Sequence, residues 1–194
     1  MQTLDDYLDR LASSDAVPGG GSAAALTGAI ASALVAMVGR IVAAPVEGLV
    51  ERADDLRAKL GEARVRDEQA FAAVIAAQGL AKTTDLEKAA RAEALERALT
   101  GAAQAPLEAA KLCVDVLRLA GRLAREPRGA LMSDVGCAAE LAHAAVLGCA
   151  YNVRINHRYM HDEPTIRSQA ATMVRYEGEA TRILTRVRGA AAKG

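Results

Sequence analysis

Two features of this sequence combine residue types and placing that suit chemistry. The first is Pro18-Gly19-Gly20-Gly21-Ser22, a run of three glycines ahead of an alanine-rich stretch. Glycines let backbone N–H groups turn toward a ligand, and a helix N-terminus carries partial positive charge, so the segment suits a carboxylate or a phosphate. The alternative is a flexible turn that needs positive φ angles before a tightly packed helix. No Gly-Lys-Ser/Thr follows and no strand precedes, which excludes a phosphate loop of the NTPase kind and a dinucleotide fingerprint. The second feature is Asp67, a carboxylate on an otherwise apolar helical stripe. Desolvation is costly there, so the group is paired with an arginine, set at a cavity rim, or kept for a site that needs an acid–base group.

Other candidates have simpler explanations beside them. Ser133-Asp134 stands at a helix start, where capping accounts for both residue types. Asn152 and Asn156, one helical turn apart, can present two amides to a heterocycle or join packed helices. His157 and His161 have i, i+4 spacing and are followed by Asp162 and Glu163. No glutamate base lies between them, and cations are favoured near a helix C-terminus, so they are read as no metal site. His143 is read as an ordinary helix residue beside an apolar stripe.

The elements that must position these residues are helices. Apolar spacing of three and four runs almost throughout, and no stretch alternates over a strand's length, so the class is all-α. Thr3 caps a first short helix. Ser22 is the expected N-cap of a second, running to about Ala44, with Leu26, Ile30, Leu34 and Val38 on one stripe and Ala25, Ala29, Ser32, Ala36 and Gly39 on another; this helix is expected at the centre, packed on both sides. A third helix opens at Pro45, and its inner stripe includes Leu56, Leu60, Ala70, Phe71 and Val74. Thr84-Asp85-Leu86-Glu87 has capping-box spacing and starts a fourth. Pro106 is expected to end or kink that helix and open a fifth. Ser133 caps a sixth, and Asp162-Glu163-Pro164 starts the last. The expectation is one domain over residues 1–188, a multi-helix bundle around the Ala/Gly-rich second helix, with a frayed tail over 189–194.

Composition excludes several classes. The 194 residues are 52% hydrophobic and 3% aromatic, so the core must be built of Ala, Leu, Val and Ile in close contact. Lys+Arg and Asp+Glu both number 24, and without a basic excess nucleic acid is not an expected partner. Cys113, Cys137 and Cys149 form no CxxC and are read as small core residues in a reducing compartment. Residues 1–15 carry four aspartates and no basic region of a secretory signal, so the expected location is cytoplasmic. The uncharged run Ser22 to Gly39, 18 residues long, approaches the length of a membrane span, but it is rich in Ala, Gly and Ser and is read as a buried helix.

Taken together, the residues resemble the family of formiminotetrahydrofolate cyclodeaminases and methenyltetrahydrofolate cyclohydrolases. The resemblance is carried by Val17-Pro18-Gly19-Gly20-Gly21-Ser22-Ala23-Ala24, Asp67-Glu68-Gln69-Ala70-Phe71, Lys82-Thr83-Thr84-Asp85, Ala105-Pro106-Leu107, Ser133-Asp134 and Asn152-Val153-Arg154-Ile155-Asn156, in family order. It implies an all-helical homodimer with a folate near the glycine run, and neither a metal nor a redox cofactor. Asp67 and Asp134 are then the acid/base and cation-stabilising candidates; Pro18, Gly19, Gly20, Gly21, Ser22 and Ser133 are substrate-binding, and Asn152 and Asn156 line the site. Methenyltetrahydrofolate cyclohydrolase is the leading activity. The alternatives are the cyclodeaminase reaction and a non-catalytic helical dimer. One segment departs from the family pattern: Glu126-Pro127-Arg128-Gly129-Ala130-Leu131-Met132 stands where Gly-Asn and further polar residues are usual.

Overall fold

The computed structural model describes residues 3–42, 46–125 and 129–192. Among these, six α-helices and one short 3-10 turn carry the fold, and no strand occurs. They are α1 (Leu4–Leu11), α2 (Gly20–Ile41), α3 (Leu49–Gln78), α4 (Asp85–Leu123), the turn Gly129–Leu131, α5 (Met132–His157) and α6 (Glu163–Ala191).

Where the sequence carries a strong cap, the helix starts there. Thr3 and Thr84 each form a full capping box, with Asp6 and Glu87 reaching back to the cap backbone. Asp162 caps α6 through Thr165 N–H. Two expected caps fail. The N-cap of α2 is Gly19, and Ser22 lies inside the helix, fully buried. The N-cap of α5 is Leu131, and the Ser133 hydroxyl instead donates to Ala130 O at 2.9 Å. The expected start of α3 at Pro45 lies outside the described residues; its N-cap is Gly48, at φ 64°. The tail expected to fray from Gly189 stays helical through Ala191.

The clearest departure is at Pro106, which neither ends nor divides α4. Proline has no N–H, so the carbonyl four residues back loses its helical partner. That carbonyl belongs to Ala102, and Asn156 of α5 supplies the missing donor, with Nδ2 3.0 Å from Ala102 O. The same amide also donates to Asn152 O at 2.8 Å. Asn156 thus repairs a neighbouring helix, which is why two expected helices are one.

α2 packs against α3, α4 and α5, and α6 closes the far side against α4 and α5. The stripes of α2 are used differently from expectation. Its small residues Ala25, Ala29, Ser32, Ala36 and Gly39 face the core, while Ile30 is 47% exposed and Ile41 57%. Small side chains bring helix axes together, so the glycine-and-alanine face is the buried one. A Cβ on Gly28 would lie 2.6 Å from Cys113 Sγ, and one on Gly39 would lie 2.7 Å from Leu49 Cδ2. Phe71, expected inside, is 41% exposed. Cys113 and Cys149 are buried, but Cys137 is exposed. Two stretches, Gly20–Ile41 and Gly129–His157, are long and apolar enough to cross a membrane; both form part of the bundle.

The repair at Pro106 has a measurable signature. Asn156→Ala should cost about 1–2 kcal/mol in chemical denaturation, because it strands the Ala102 carbonyl. The same change in a Pro106→Ala background should cost clearly less, since an alanine N–H reclaims that carbonyl. Equal costs in the two backgrounds would refute the account.

Candidate active site

The glycine run belongs to a close crossing. α2 and α5 run antiparallel here: a Cβ on Gly20 would meet Asn152 Nδ2 at 3.2 Å, and one on Gly148 would meet Ala24 Cβ at 3.1 Å. On the other side α3 brings Asp67 against Gly21. A Cβ at Gly21 would sit 2.1 Å from Asp67 Oδ1, inside any permitted contact. Glycine is therefore required here for space. It is not required for φ: among the described residues the positive-φ glycines are Gly48 and Gly129, and the positive-φ reading of the Gly19–Gly21 run is overturned.

Asp67 is partly buried and has its carboxylate against the first turn of α2. Burial raises its pKa to about 6; the Ser22 backbone N–H pulls it down, and the neighbouring Glu68 charge pushes it up. The anion that the helix start favours is thus a carboxylate of this same chain. Near neutral pH the group is mostly ionised, yet it takes a proton readily, as general acid–base work demands.

A second layer fixes this contact. The Ser22 hydroxyl donates to Glu68 Oε1 at 3.0 Å, so the Tyr7 hydroxyl, 3.0 Å from Ser22 Oγ, is the donor to it. Glu68 also receives Arg10 Nη2 at 3.2 Å and Arg64 Nη1 at 3.3 Å. The Arg64 guanidinium lies 4.8 Å over the Tyr7 ring. One carboxylate therefore ties α1, α2 and α3 together, and Ser22 joins it to Asp67, through the hydroxyl on one side and the N–H on the other. Tyr7, Arg10, Arg64 and Glu68 carried no role in the sequence reading. The available clue was Tyr7, an aromatic residue within an otherwise acidic short helix.

Of the residues expected at the site, Gly20, Gly21, Ser22, Asp67 and Asn152 come together. Gly19 caps the helix, and Pro18 is buried just before it. Asn152 Nδ2 donates to Gly148 O at 2.9 Å, and its carbonyl oxygen, an acceptor, lies beside Gly20. Asn156 is committed to the α4 carbonyl. Ser133 and Asp134 are not part of the cluster: eighteen residues of α5 separate Asp134 from Asn152, roughly 27 Å of helix. The histidines do not converge. His157 Nε2 bonds Gln169 Oε1 at 2.8 Å and His143 Nε2 meets Thr181 Oγ1 at 3.3 Å. Among the described residues no group of three or more His, Cys, Asp or Glu is placed to hold a metal.

The fold is thus an all-helical bundle in which Asp67, the one carboxylate among the described residues with a clearly raised pKa, is set against a glycine-opened helix. A family model described as formiminotransferase-cyclodeaminase matches residues 3–175, and the chain belongs to this family. It is 38% identical over 170 residues to the methenyltetrahydrofolate cyclohydrolase of Methylorubrum extorquens, covering 83% of this chain and 82% of that protein. It is 30% identical over 170 residues to the formimidoyltransferase-cyclodeaminase of Mus musculus, where it spans 31% of the longer relative. The crystal structure of formiminotetrahydrofolate cyclodeaminase from Thermotoga maritima matches 98% of this chain and 96% of its own, with a TM-score of 0.86 at 26% identity.

The raised pKa of Asp67 makes a stability prediction. A carboxyl whose folded pKa exceeds its unfolded value binds protons more tightly when folded, so its ionisation destabilises the fold as pH rises from about 4 to about 6. Asp67→Asn removes that cost. The variant should exceed wild type by about 1–2 kcal/mol near pH 8 and match it below about pH 4, as measured by urea denaturation across pH.

Proposed function

We propose that this chain is a methenyltetrahydrofolate cyclohydrolase that acts as a homodimer, with Asp67 as the acid–base group. The observation that carries the reading is the Asp67 carboxylate, with a pKa of about 6, at the Gly20–Ser22 crossing. The substrate class follows from the 38% identity to a cyclohydrolase over most of both chains.

The 5,10-methenyl bridge is an amidinium carbon between N5 and N10, short of electrons. An ionised Asp67 favours that cation by charge and takes a proton from the attacking water as its oxygen bonds to the bridge carbon. The neutral adduct then breaks its carbon–N5 bond. The proton held on Asp67 passes to N5, and the hydroxyl proton is lost to solvent as the carbonyl forms, leaving a formyl group on N10. Asn152 and the N–H groups of Gly20 and Gly21 orient the ring. No step needs a metal or a redox cofactor.

The distance of Asp134 from Asp67 within one copy is explained by the dimer. Asp134, Leu141, Gly148 and Ile155 recur at seven-residue intervals on α5, beside the exposed face of α2 that carries Ile30 and Met37. Tyr151, 72% exposed, and Ile155, 43% exposed, extend this apolar surface. Two copies of α5 crossing antiparallel about their middles bring position 134 of one beside position 155 of the other. The partner's Asp134 then enters the site as the second, cation-stabilising carboxylate.

Two experiments test this. Following the near-UV absorbance of methenyltetrahydrofolate, Asp67→Asn should lower kcat by about 10²–10⁴-fold, and the wild-type rate should fall as pH drops through about 6. A wild-type rate in the variant would remove Asp67 from the chemistry. Ammonia release from formiminotetrahydrofolate without cyclohydrolase activity would instead establish the cyclodeaminase reaction; inactivity on both folates would leave a non-catalytic dimer. Ile30→Glu should elute as a monomer with little activity. An inactive Asp67→Asn chain mixed with an inactive Asp134→Asn chain should regain part of the activity, because one site of the mixed dimer receives both aspartates.

A further inference from the structure

The charged residues of this chain balance, but they are not evenly mixed in space. Most described lysines and arginines have a carboxylate within 4.0 Å. Apart from Lys82, Arg91, Arg158 and Arg182, those that do not are Lys111, Arg122, Arg125, Arg175 and Arg186, and every one lines the groove between α4 and α6. Guanidinium groups that repel one another are held along a groove only at an electrostatic cost, which a bound anion would offset.

One part of the groove is a cavity of 410 Å³ between the C-terminal halves of the two helices. Arg122, Arg125 and Arg186 stand round it, together with the paired Arg118 and Glu179. The pair is a forked one, Arg118 Nε and Nη2 meeting the two Glu179 oxygens at 2.7 and 2.9 Å, so it offers no charge of its own. Two of the other guanidiniums are held by neutral groups: Arg122 Nη2 donates to Glu47 O at 3.1 Å and Arg186 Nε to Arg182 O at 3.4 Å. They are fixed in place without being neutralised. Ile183 and Val187, 5% and 1% exposed, form an apolar floor.

We propose that this groove binds a small organic di- or triphosphate. Three uncompensated guanidiniums round one small cavity call for several negative charges on one molecule, and adjacent phosphates supply them in the fewest atoms. Planar guanidinium forks match phosphate oxygens two at a time. The apolar floor takes the organic part, and the volume lies in the range of small-ligand pockets. The site shares no residue with the Asp67 cluster, and its occupation is independent of the folate reaction.

Calorimetric titration of the full chain with inorganic tripolyphosphate, ATP, citrate and adenosine tests the proposal. Tripolyphosphate and ATP should bind saturably, ATP the more tightly, while citrate and adenosine should be weaker than both. The Arg122→Gln/Arg186→Gln double variant should lose about tenfold or more in ATP affinity, and a Lys82→Gln/Arg158→Gln control should stay within about twofold of wild type. Citrate binding as tight as tripolyphosphate, an equal loss in the control, or the absence of saturable binding would overturn it. A measurement on the unaltered protein stands beside these: tripolyphosphate should shield Arg122, Arg125 and Arg186, but not Arg158, from phenylglyoxal, as mapped by mass spectrometry. Unchanged labelling at those three arginines would also overturn it.

Discussion

The contact between Gly21 and Asp67 is the constraint around which the rest is arranged. A carboxylate oxygen occupies the space a side chain would take, so α3 meets the first turn of α2 with nothing between backbone and acid. That proximity raises the pKa of Asp67 by excluding water and at the same time gives the ionised form a partner in the Ser22 N–H. Holding such a balance requires the helices not to slide. The restraint comes from Glu68, which gathers Ser22, Arg10 and Arg64 from three helices, and from Tyr7, which covers them.

Much of the architecture is legible in the sequence because it depends on local physics. Thr3, Thr84 and Asp162 start their helices where short-range hydrogen bonding dictates. What local physics could not supply were answers that depend on a partner from elsewhere in the chain. Pro106 looks like an end because its partner in repair, Asn156, lies fifty residues away in sequence. Ser22 looks like a cap until Tyr7 and Glu68 are seen to claim its hydroxyl. On α2 both the large and the small stripe were expected inside, but Ile30 stays exposed while the small residues are buried, because close approach of three neighbouring helices needs them.

The candidate site divides in the same way. Asp67 stood out in the sequence since a carboxylate on an apolar stripe contradicts the pattern around it. The glycine run stood out too, and the turn that was its alternative explanation is not what it serves, since Gly21 is there for space and not for backbone freedom. Asp134 was given its role in the site through resemblance alone, and its place at the other end of α5 turns it from a neighbour of Asp67 into an argument about a second copy. Asn152 and Asn156, alike in type and one turn apart, serve different ends, one facing the crossing and the other mending α4.

The glycines of α2 also determine how freely this protein can change over time. Gly21, Gly28 and Gly39 each exclude a methyl group against a different neighbour, along about 27 Å of one helix. A single added carbon at Gly39 must push aside the Leu49 and Val50 side chains that close on that face of the helix. Substitution is therefore constrained along the inner line of this helix.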